Sequence, residues 1–260
     1  MTAAAQSFAP PPFVRLAAHP LRWRLLAELA RSDRRVRELV ARVARPQNLV
    51  SYHLRLLRDA GLITASRSSF DGREAYYHLD LDRCASSLAE SGSALHPGLL
   101  QPDSAAMPAL EADSPPISVL FLCTGNSARS PIAEALLRHH AGSRVEVTSA
   151  GSHPKAQVHP GAVAVLRERY AIDISRQEPR HLDTLADRHF DYVITVCDRV
   201  REVCPNFPDN PHQFHWSIPD PTTPGDAAAF ERAAAEIETR IRHLLPVLAR
   251  TLNETQEEQP

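Results

Sequence analysis

A cysteine and an arginine follow one apolar run, and this pair carries the clearest chemistry in the sequence. Cys123 closes the run Ile-Ser-Val-Leu-Phe-Leu, and Thr-Gly-Asn-Ser-Ala separates it from Arg129. A cysteine thiolate is a strong nucleophile, and the planar arginine guanidinium can hold two oxygens of one anion. The spacing lets a short loop turn both groups toward the same ligand. The pair therefore predicts nucleophilic attack on a tetrahedral oxyanion.

The residues around the pair predict the elements that position it. The apolar run indicates a buried strand, and Gly125 lies in a tight loop after it. We expect Ser130 to cap the next helix and Pro131 to occupy its first position. Backbone N–H groups of such a loop face a bound anion and favour a thiolate. The predicted oxyanion site comprises Thr124, Gly125, Asn126, Ser127, Ala128, Arg129 and Ser130, of which Asn126, Ser127 and Ser130 shape the loop and hydrogen-bond the thiolate.

The stretch from Cys123 to Ala135 resembles the signature loop of the low-molecular-weight tyrosine phosphatase family, which includes the thioredoxin-coupled arsenate reductases. The resemblance extends over residues 117–250 and implies an α/β domain with a four-stranded parallel sheet. The sequence itself predicts further strands at 144–151, 191–197 and 214–216 and helices at 161–170 and 227–252. This alternation also indicates a parallel sheet covered by helices on both faces.

Two further cysteines favour a reductase over a phosphatase. Cys197 ends a predicted strand, and Cys204 follows seven positions later. The resemblance implies a relay in which Cys123 attacks arsenate, Cys197 forms a disulfide with Cys123, and Cys204 then forms a disulfide with Cys197. Many relatives carry another cysteine inside the loop, at the position of Ala128 in this chain. That additional cysteine takes no part in the three-cysteine relay.

An aspartate completes the predicted site. Asp220 precedes Pro221 on a loop, and we interpret it as the general acid that protonates the departing oxygen. Related phosphatases tend to carry an aromatic residue after this Asp-Pro pair. Thr222 occupies that position here, which favours a small inorganic anion as substrate.

These observations predict an arsenate reductase that binds arsenate and takes electrons from thioredoxin, without a bound cofactor or metal. Two alternatives remain open. One is a low-molecular-weight protein tyrosine phosphatase fused to a regulator, and the reductase itself could keep residual phosphatase activity. The other is a repressor whose second domain senses an oxyanion without catalysis.

The N-terminal part has a different pattern. Helical periodicity in residues 13–30, 36–43 and 47–60 is followed by two alternating runs around Asp71-Gly72, a strong hairpin signal. Three helices and a hairpin predict a winged helix-turn-helix. The segments His19–Leu26, Val50–Ile63 and Gly72–Tyr77 resemble the ArsR/SmtB family of transcriptional repressors over residues 13–90.

The resemblance implies operator DNA as partner and a homodimer formed through the N-terminal domain. The predicted DNA-binding residues are Gln47, Asn48, Ser51, Tyr52, His53 and Arg55 on the recognition helix, with Arg67 and Arg73 on the wing. Metal-sensing relatives carry paired cysteines on the preceding helix, but residues 36–43 contain none. We interpret the single Cys84 as a packing residue of a dimer helix.

Charge and composition support two functional parts. Residues 1–83 hold 14 arginines and 8 acidic residues, whereas the remainder holds 15 basic and 23 acidic residues. A basic first part favours nucleic acid as partner. No apolar run reaches the ~20 residues of a membrane span, and no signal peptide is evident, so we expect a cytoplasmic protein. The expected organisation is a winged-helix domain at 1–90, a flexible linker at 91–116, a reductase domain at 117–252 and a disordered tail at 253–260.

Overall fold

The structure is a computed structural model that describes residues 9–95, 116–203, 212–223, 226 and 228–257. The chain divides into two compact units, one formed by residues 1–65 and 77–104 and the other by residues 66–76 and 105–260. Cys204 and most of the predicted linker, residues 96–115, lie outside the described residues.

The first unit is mainly helical, as the N-terminal periodicity predicts. Pro20 begins α2, and the His19 side chain caps this helix by accepting a hydrogen bond from the Leu21 N–H. A left-handed residue, Ala44, ends α3, and Pro46 precedes α4. Residues 12–95 form the elements α1 (Pro12–Ala17), α2 (Pro20–Arg31), β1 (Arg34–Arg35), α3 (Val36–Val43), α4 (Gln47–Asp59), β2 (Ile63–Arg67), β3 (Ala75–Leu79) and α5 (Leu81–Leu95).

The apolar faces of these helices meet in one core. Leu25 of α2, Leu39 of α3 and Leu57 of α4 are fully buried, and the start of β2 joins them at Ile63. The three short strands form a sheet in the order β1-β3-β2. The three-helix and hairpin order of the predicted winged helix-turn-helix is therefore confirmed.

The second unit is built on a parallel sheet. Its strands are β4 (Ile117–Cys123), β5 (Val145–Gly151), β6 (Tyr192–Thr195) and β7 (His212–His215), in the order β5-β4-β6-β7 with every neighbouring pair parallel. The helices are α6 (Arg129–Ala141), α7 (Pro160–Tyr170), α8 (Asp198–Val203) and α9 (Ala229–Glu257), with short 3₁₀ turns at Gly142–Arg144 and Leu182–Leu185. This confirms the predicted four-stranded α/β fold.

The central position of β4 in the sheet explains why its residues are apolar. β4 pairs with β5 on one side and β6 on the other, and from Val119 to Cys123 every residue is buried. Strands covered on both faces become continuously apolar rather than alternating. α6 is almost entirely buried, and α9 packs Ile237, Ile241 and Leu248 into the same core. Among the described residues, no helix is long and apolar enough to cross a membrane.

Three local predictions differ from the structure. α6 begins at Arg129 rather than after Ser130, and no side chain caps it, because the Ser130 hydroxyl bonds Cys123 instead. α5 continues to Leu95, past the expected end of the first domain. α9 continues to Glu257, so residues 253–257 are helical where a disordered tail was expected.

Candidate functional site

The loop after β4 turns its carbonyl groups away from the pocket it encloses. The carbonyl oxygens of Thr124, Gly125 and Ser127 accept hydrogen bonds from backbone N–H groups at His153 (2.8 Å), Lys155 (2.9 Å) and His159 (2.7 Å), respectively. A loop whose carbonyls point outward presents its amides on the opposite side. This is the arrangement that an oxyanion-binding loop requires.

Two backbone features allow this tight curvature. Asn126 adopts a left-handed conformation with φ of 43°, which asparagine tolerates better than most residues. Gly151 ends the neighbouring strand, and a Cβ added there would lie 2.6 Å from the Thr124 carbonyl oxygen and 2.8 Å from the Asn126 nitrogen. Only glycine lets the loop cross the end of β5 this closely.

Buried hydrogen bonds fix the side chain of Cys123. The Ser130 hydroxyl lies 3.0 Å from Cys123 Sγ, and the Asn126 side-chain amide donates to Ser130 Oγ at 3.0 Å and to Ser149 Oγ at 2.8 Å. All of these side chains are buried. The orientation of Cys123 is therefore held by a network rather than by one contact.

A buried carboxylate supports this network from α6. Glu134 accepts hydrogen bonds from the Ser149 hydroxyl and the Gln177 side-chain amide, both at 2.6 Å, and also pairs with Arg138. Sequence reasoning did not single out Glu134, Ser149 or Gln177. Glu134 does lie within the signature stretch, and its spacing four residues after Ser130 places it one helical turn further along the same face.

Arg129 and Asp220 contact each other directly. Arg129 Nη2 donates to Asp220 Oδ2 at 3.0 Å, and Nη1 donates to the Ile218 carbonyl at 3.1 Å. Thr222 also holds Asp220, since its N–H and hydroxyl donate to Oδ1 at 3.0 and 2.8 Å. Burial opposes ionisation of Asp220, but Arg129 and then Thr222 outweigh it and lower the pKa of the carboxyl.

The second cysteine lies beside the same loop. Cys197 Sγ is 3.3 Å from the Thr124 hydroxyl, and its side chain is only 1% exposed. Burial raises the pKa of the Cys197 thiol, whereas the Arg129 charge and the Thr124 hydrogen bond act in the opposite direction. The structure thus brings together Cys123, Arg129, Asp220 and Cys197, while Cys204 lies outside the described residues.

Cationic and titratable side chains line the mouth of this pocket. Lys155, His153, His159 and Arg199 all contribute to its wall. Lys155 packs against the loop, with its Cγ 3.3 Å from the position of a Cβ at Gly125. It is the only lysine in the sequence, whose other 28 basic residues are arginines. Sequence reasoning gave these residues no role in the pocket, because none of them lies in the Cys123 loop: His153, Lys155 and His159 follow β5, and Arg199 lies in α8.

The predicted DNA-binding residues divide into two groups. Exposed side chains are found at Gln47, Asn48, Ser51, Tyr52, Arg55, Arg67 and Arg73. His53 is 5% exposed, and its ring packs against that of His19 in a tilted arrangement, at a centroid distance of 4.4 Å. The prediction that His53 faces DNA is therefore wrong, since the side chain belongs to the core face of α4. Burial, and then the charges of His19 and Arg22, lower the pKa of His53.

Cys84 packs against the core of the first unit from α5. Its Sγ lies 3.8 Å from the Leu62 carbonyl oxygen, and burial, followed by the charge of Asp80, raises its pKa to about 11. Such a thiol is protonated at neutral pH, as expected for a packing residue.

The fold and the loop define a phosphatase-type oxyanion site, and the family models agree. The model described as low molecular weight phosphotyrosine protein phosphatase matches residues 118–257, and the chain belongs to this family. The model described as bacterial regulatory protein, arsR family, matches residues 19–65. Both resemblances inferred from the sequence are confirmed.

Individual relatives narrow the comparison within this family. The chain is 37% identical over 129 residues to an arsenate reductase of Halalkalibacterium halodurans and 36% identical over 125 residues to one of Bacillus cereus. Each alignment covers 48% of this chain and 91% of the relative. Among solved structures, a thioredoxin-dependent arsenate reductase of Corynebacterium glutamicum is 26% identical, with a TM-score of 0.45, covering 87% of this chain and 98% of that one.

Proposed function

We propose that the chain is an arsenate reductase joined to a DNA-binding regulator. The observation that carries the reductase part is the contact of 3.3 Å between the Thr124 hydroxyl and Cys197 Sγ. A phosphatase needs one nucleophilic cysteine at its anion loop, whereas a reductase must supply two electrons and needs a second thiol close by. The relatives named as arsenate reductases, at 36–37% identity, support the same substrate.

In the first step Cys123 attacks arsenate held by the loop. The thiolate forms a bond to arsenic, and one arsenate oxygen leaves as water. The loop amides and the Arg129 guanidinium hold the remaining oxygens, as an oxyanion hole does. The Ser130 hydroxyl lies 3.0 Å from Cys123 Sγ. A hydrogen bond from this hydroxyl stabilises negative charge on the sulfur and so supports Cys123 as the nucleophile.

Asp220 supplies the proton for the departing oxygen. In the free protein its pKa is lowered and Arg129 holds it as a carboxylate. Arsenate brings its own negative charge to Arg129, so it replaces Asp220 as the partner of the guanidinium. The carboxyl then faces a neighbouring anion, which favours its protonated form. Asp220 thereby becomes the general acid only when substrate is bound.

In the second step Cys197 attacks the Cys123 sulfur. A Cys123–Cys197 disulfide forms, the sulfur–arsenic bond breaks, and arsenic keeps the electron pair and leaves as arsenite. Cys204 then attacks Cys197, which frees Cys123 and produces a Cys197–Cys204 disulfide. Thioredoxin would reduce this disulfide by thiol exchange and restore the starting state.

We further propose that the first unit binds operator DNA as a symmetric homodimer. Exposed polar residues of α4, among them Asn48 and Ser51, suit base and phosphate contacts in a major groove. Large apolar side chains are exposed on α1 and α5, at Val14 (39%), Leu88 (55%) and Leu95 (81%). These side chains supply the apolar surface that a dimer interface buries.

Arsenate turnover by the purified full chain tests the enzymatic proposal. With thioredoxin, thioredoxin reductase and NADPH, we expect continuous arsenite production and matched NADPH consumption. Substituting p-nitrophenyl phosphate for arsenate tests the phosphatase alternative, for which hydrolysis would be efficient and arsenite production absent. If arsenate binds but neither reaction proceeds, the second unit is an oxyanion sensor rather than an enzyme.

A further inference from the structure

A buried histidine–aspartate pair lies beside Cys197, and none of the chemical steps above uses it. His215 ends β7 and Asp198 begins α8, with side chains only 1% and 2% exposed. His215 Nε2 and Asp198 Oδ1 are 3.2 Å apart. A carboxylate oxygen can only accept a hydrogen bond, so Nε2 carries the hydrogen.

The other nitrogen of His215 contacts the strand that leads to Cys197. Nδ1 lies 2.9 Å from the Thr195 hydroxyl and 3.2 Å from the Thr195 carbonyl oxygen. Thr195 is the last residue of β6, two positions before Cys197, and Asp198 is the residue immediately after it. One imidazole ring therefore bridges the two backbone segments on either side of the second cysteine.

The electrostatics of the pair agree with this geometry. Burial alone would oppose a charged Asp198, but hydrogen bonds, that from His215 first among them, lower the pKa of the carboxyl. A buried carboxylate is costly unless it is hydrogen-bonded. The pair is thus a fixed connection between the end of β6 and the start of α8.

We infer that His215 is a positioning residue for the disulfide-forming step, an inference that rests on the proposed reductase function. By joining Thr195 to Asp198, it holds the intervening Cys197 thiol against Thr124, next to Cys123. The Cys197 sulfur must approach the Cys123 sulfur while the sulfur–arsenic bond breaks and arsenic takes the electron pair. Displacements of about 1 Å can slow such a step by two orders of magnitude.

The same geometry assigns no role to His215 in the first step. In the proposed mechanism arsenate attack depends on Cys123, Arg129 and Asp220. Their hydrogen bonds described above are to the Ser130 hydroxyl, to the Ile218 carbonyl, to Thr222 and between Arg129 and Asp220, and none of these is to His215. Loss of the His215 bridge should therefore separate the two steps kinetically. A residue needed only for general stability would impair both of them together.

The test uses the full chain in two backgrounds. In the Cys204→Ser background, one burst of arsenite and trapping of the Cys123–Cys197 disulfide report the second step. In the Cys197→Ser background, the second step is blocked, and protection of Cys123 from iodoacetamide by arsenate reports the first step. We expect His215→Leu to slow the burst at least about tenfold, the equivalent of one hydrogen bond to a charged group, with little change in protection.

Conservative variants and a matched control complete the design. His215→Gln keeps an amide that can donate to Asp198 and should recover most of the burst rate. Asp198→Asn, which keeps the shape and weakens the bond, should slow the burst without changing protection. His212→Leu is the control, because His212 lies on the same strand but stacks on Tyr192 at 4.7 Å.

The outcomes are distinguishable. An unchanged burst in His215→Leu, equal losses in both readouts, or an equal effect of His212→Leu would overturn the positioning role alone. Absence of a burst in the Cys204→Ser parent, with arsenate protection intact, would instead overturn the relay on which the inference rests.

Discussion

Arg129 donates a hydrogen bond to Asp220 at 3.0 Å. Arg129 is proposed to bind the oxyanion and Asp220 to protonate its departing oxygen, so the two proposed functional groups pair with each other in the free protein. The pair keeps the guanidinium in the loop and the carboxyl in its charged form. In the proposed mechanism, arsenate replaces Asp220 as the anion bound by Arg129. This exchange would couple binding of arsenate to protonation of the Asp220 carboxyl.

The first prediction concerns Asp220→Asn. Because asparagine cannot donate a proton to the departing oxygen as an acid does, arsenate reduction should slow by about 10²–10⁴-fold. Binding should not weaken, since the variant removes the anion that competes for Arg129. Steady-state kinetics and arsenate protection of Cys123 check the two parts. Asp226→Asn is the control, because Asp226 also pairs with an arginine, Arg232, and its side chain is exposed.

The second prediction concerns the order of the three cysteines. Cys123→Ser should abolish arsenite formation and any phosphatase side activity, because both begin with the same thiolate. Cys204→Ser should yield about one arsenite per chain and a trapped Cys123–Cys197 disulfide, identified by mass spectrometry after rapid alkylation. Repeated turnover of Cys204→Ser with thioredoxin at the parent rate would contradict the relay.

The third prediction concerns the pH dependence of the second step. Burial raises the pKa of Cys197, so its reactive thiolate is scarce at pH 7 and the single-turnover rate should rise with pH through the alkaline range. Thr124→Val removes a hydrogen bond that lowers this pKa and should slow the step about three- to tenfold at pH 7. The difference should shrink as pH rises, because the thiolate then forms without that help.

A matched substitution separates this effect from packing. Thr124→Ser keeps the hydroxyl and should follow the parent pH profile. Single-turnover rates in the Cys204→Ser background between pH 6 and 9.5 provide the comparison. A constant ratio between Thr124→Val and the parent at every pH would show that the hydroxyl does not act on the ionisation of Cys197.

The fourth prediction concerns Cys84. Its pKa of about 11 leaves almost no thiolate at pH 8, so alkylation should be on the order of a hundredfold slower than that of an ordinary cysteine. A thiol this unreactive is a poor arsenite ligand. Gel shifts of the full chain with added arsenite should respond equally in Cys84→Ser and the parent. Loss of an arsenite response in Cys84→Ser alone would refute this.

Local signals in the sequence predicted most of the fold and part of the site. Short-range patterns each indicated one structure: the apolar run before Cys123 a buried strand, the prolines the starts of helices, and Asp71-Gly72 a hairpin turn. The capping prediction at Ser130 followed the same rules and was wrong, because a tertiary contact with Cys123 took the hydroxyl. Glu134 and Gln177 were missed for a related reason: their contacts join residues 43 positions apart.

The error at His53 has a similar cause. Residues of a recognition helix alternate between a DNA face and a core face, and the sequence does not show where the boundary lies when a polar residue is buried. His53 packs against His19, whose own side chain caps α2. The pairing of two histidines across two helices could be read only from the structure.

The last prediction uses this division of the helix. Asn48 and Arg55 are exposed on α4 and His53 is buried, so the three should behave differently. Arg55→Gln, like Arg67→Gln or Arg73→Gln on the hairpin, should weaken binding to every DNA sequence. It should also reduce the slope of log affinity against log salt concentration by about 0.9 for each phosphate that the variant no longer neutralises.

Asn48→Ala should instead relax sequence preference, because an asparagine amide reads base edges whereas an arginine at a phosphate does not. His53→Ala should lower the midpoint of thermal unfolding, since it leaves a cavity beside His19, while the salt slope stays at the parent value. Affinities for specific and scrambled duplexes at several salt concentrations, with parallel thermal unfolding, separate the three cases. A reduced salt slope in His53→Ala would show that this side chain reaches DNA after all and that the core assignment fails.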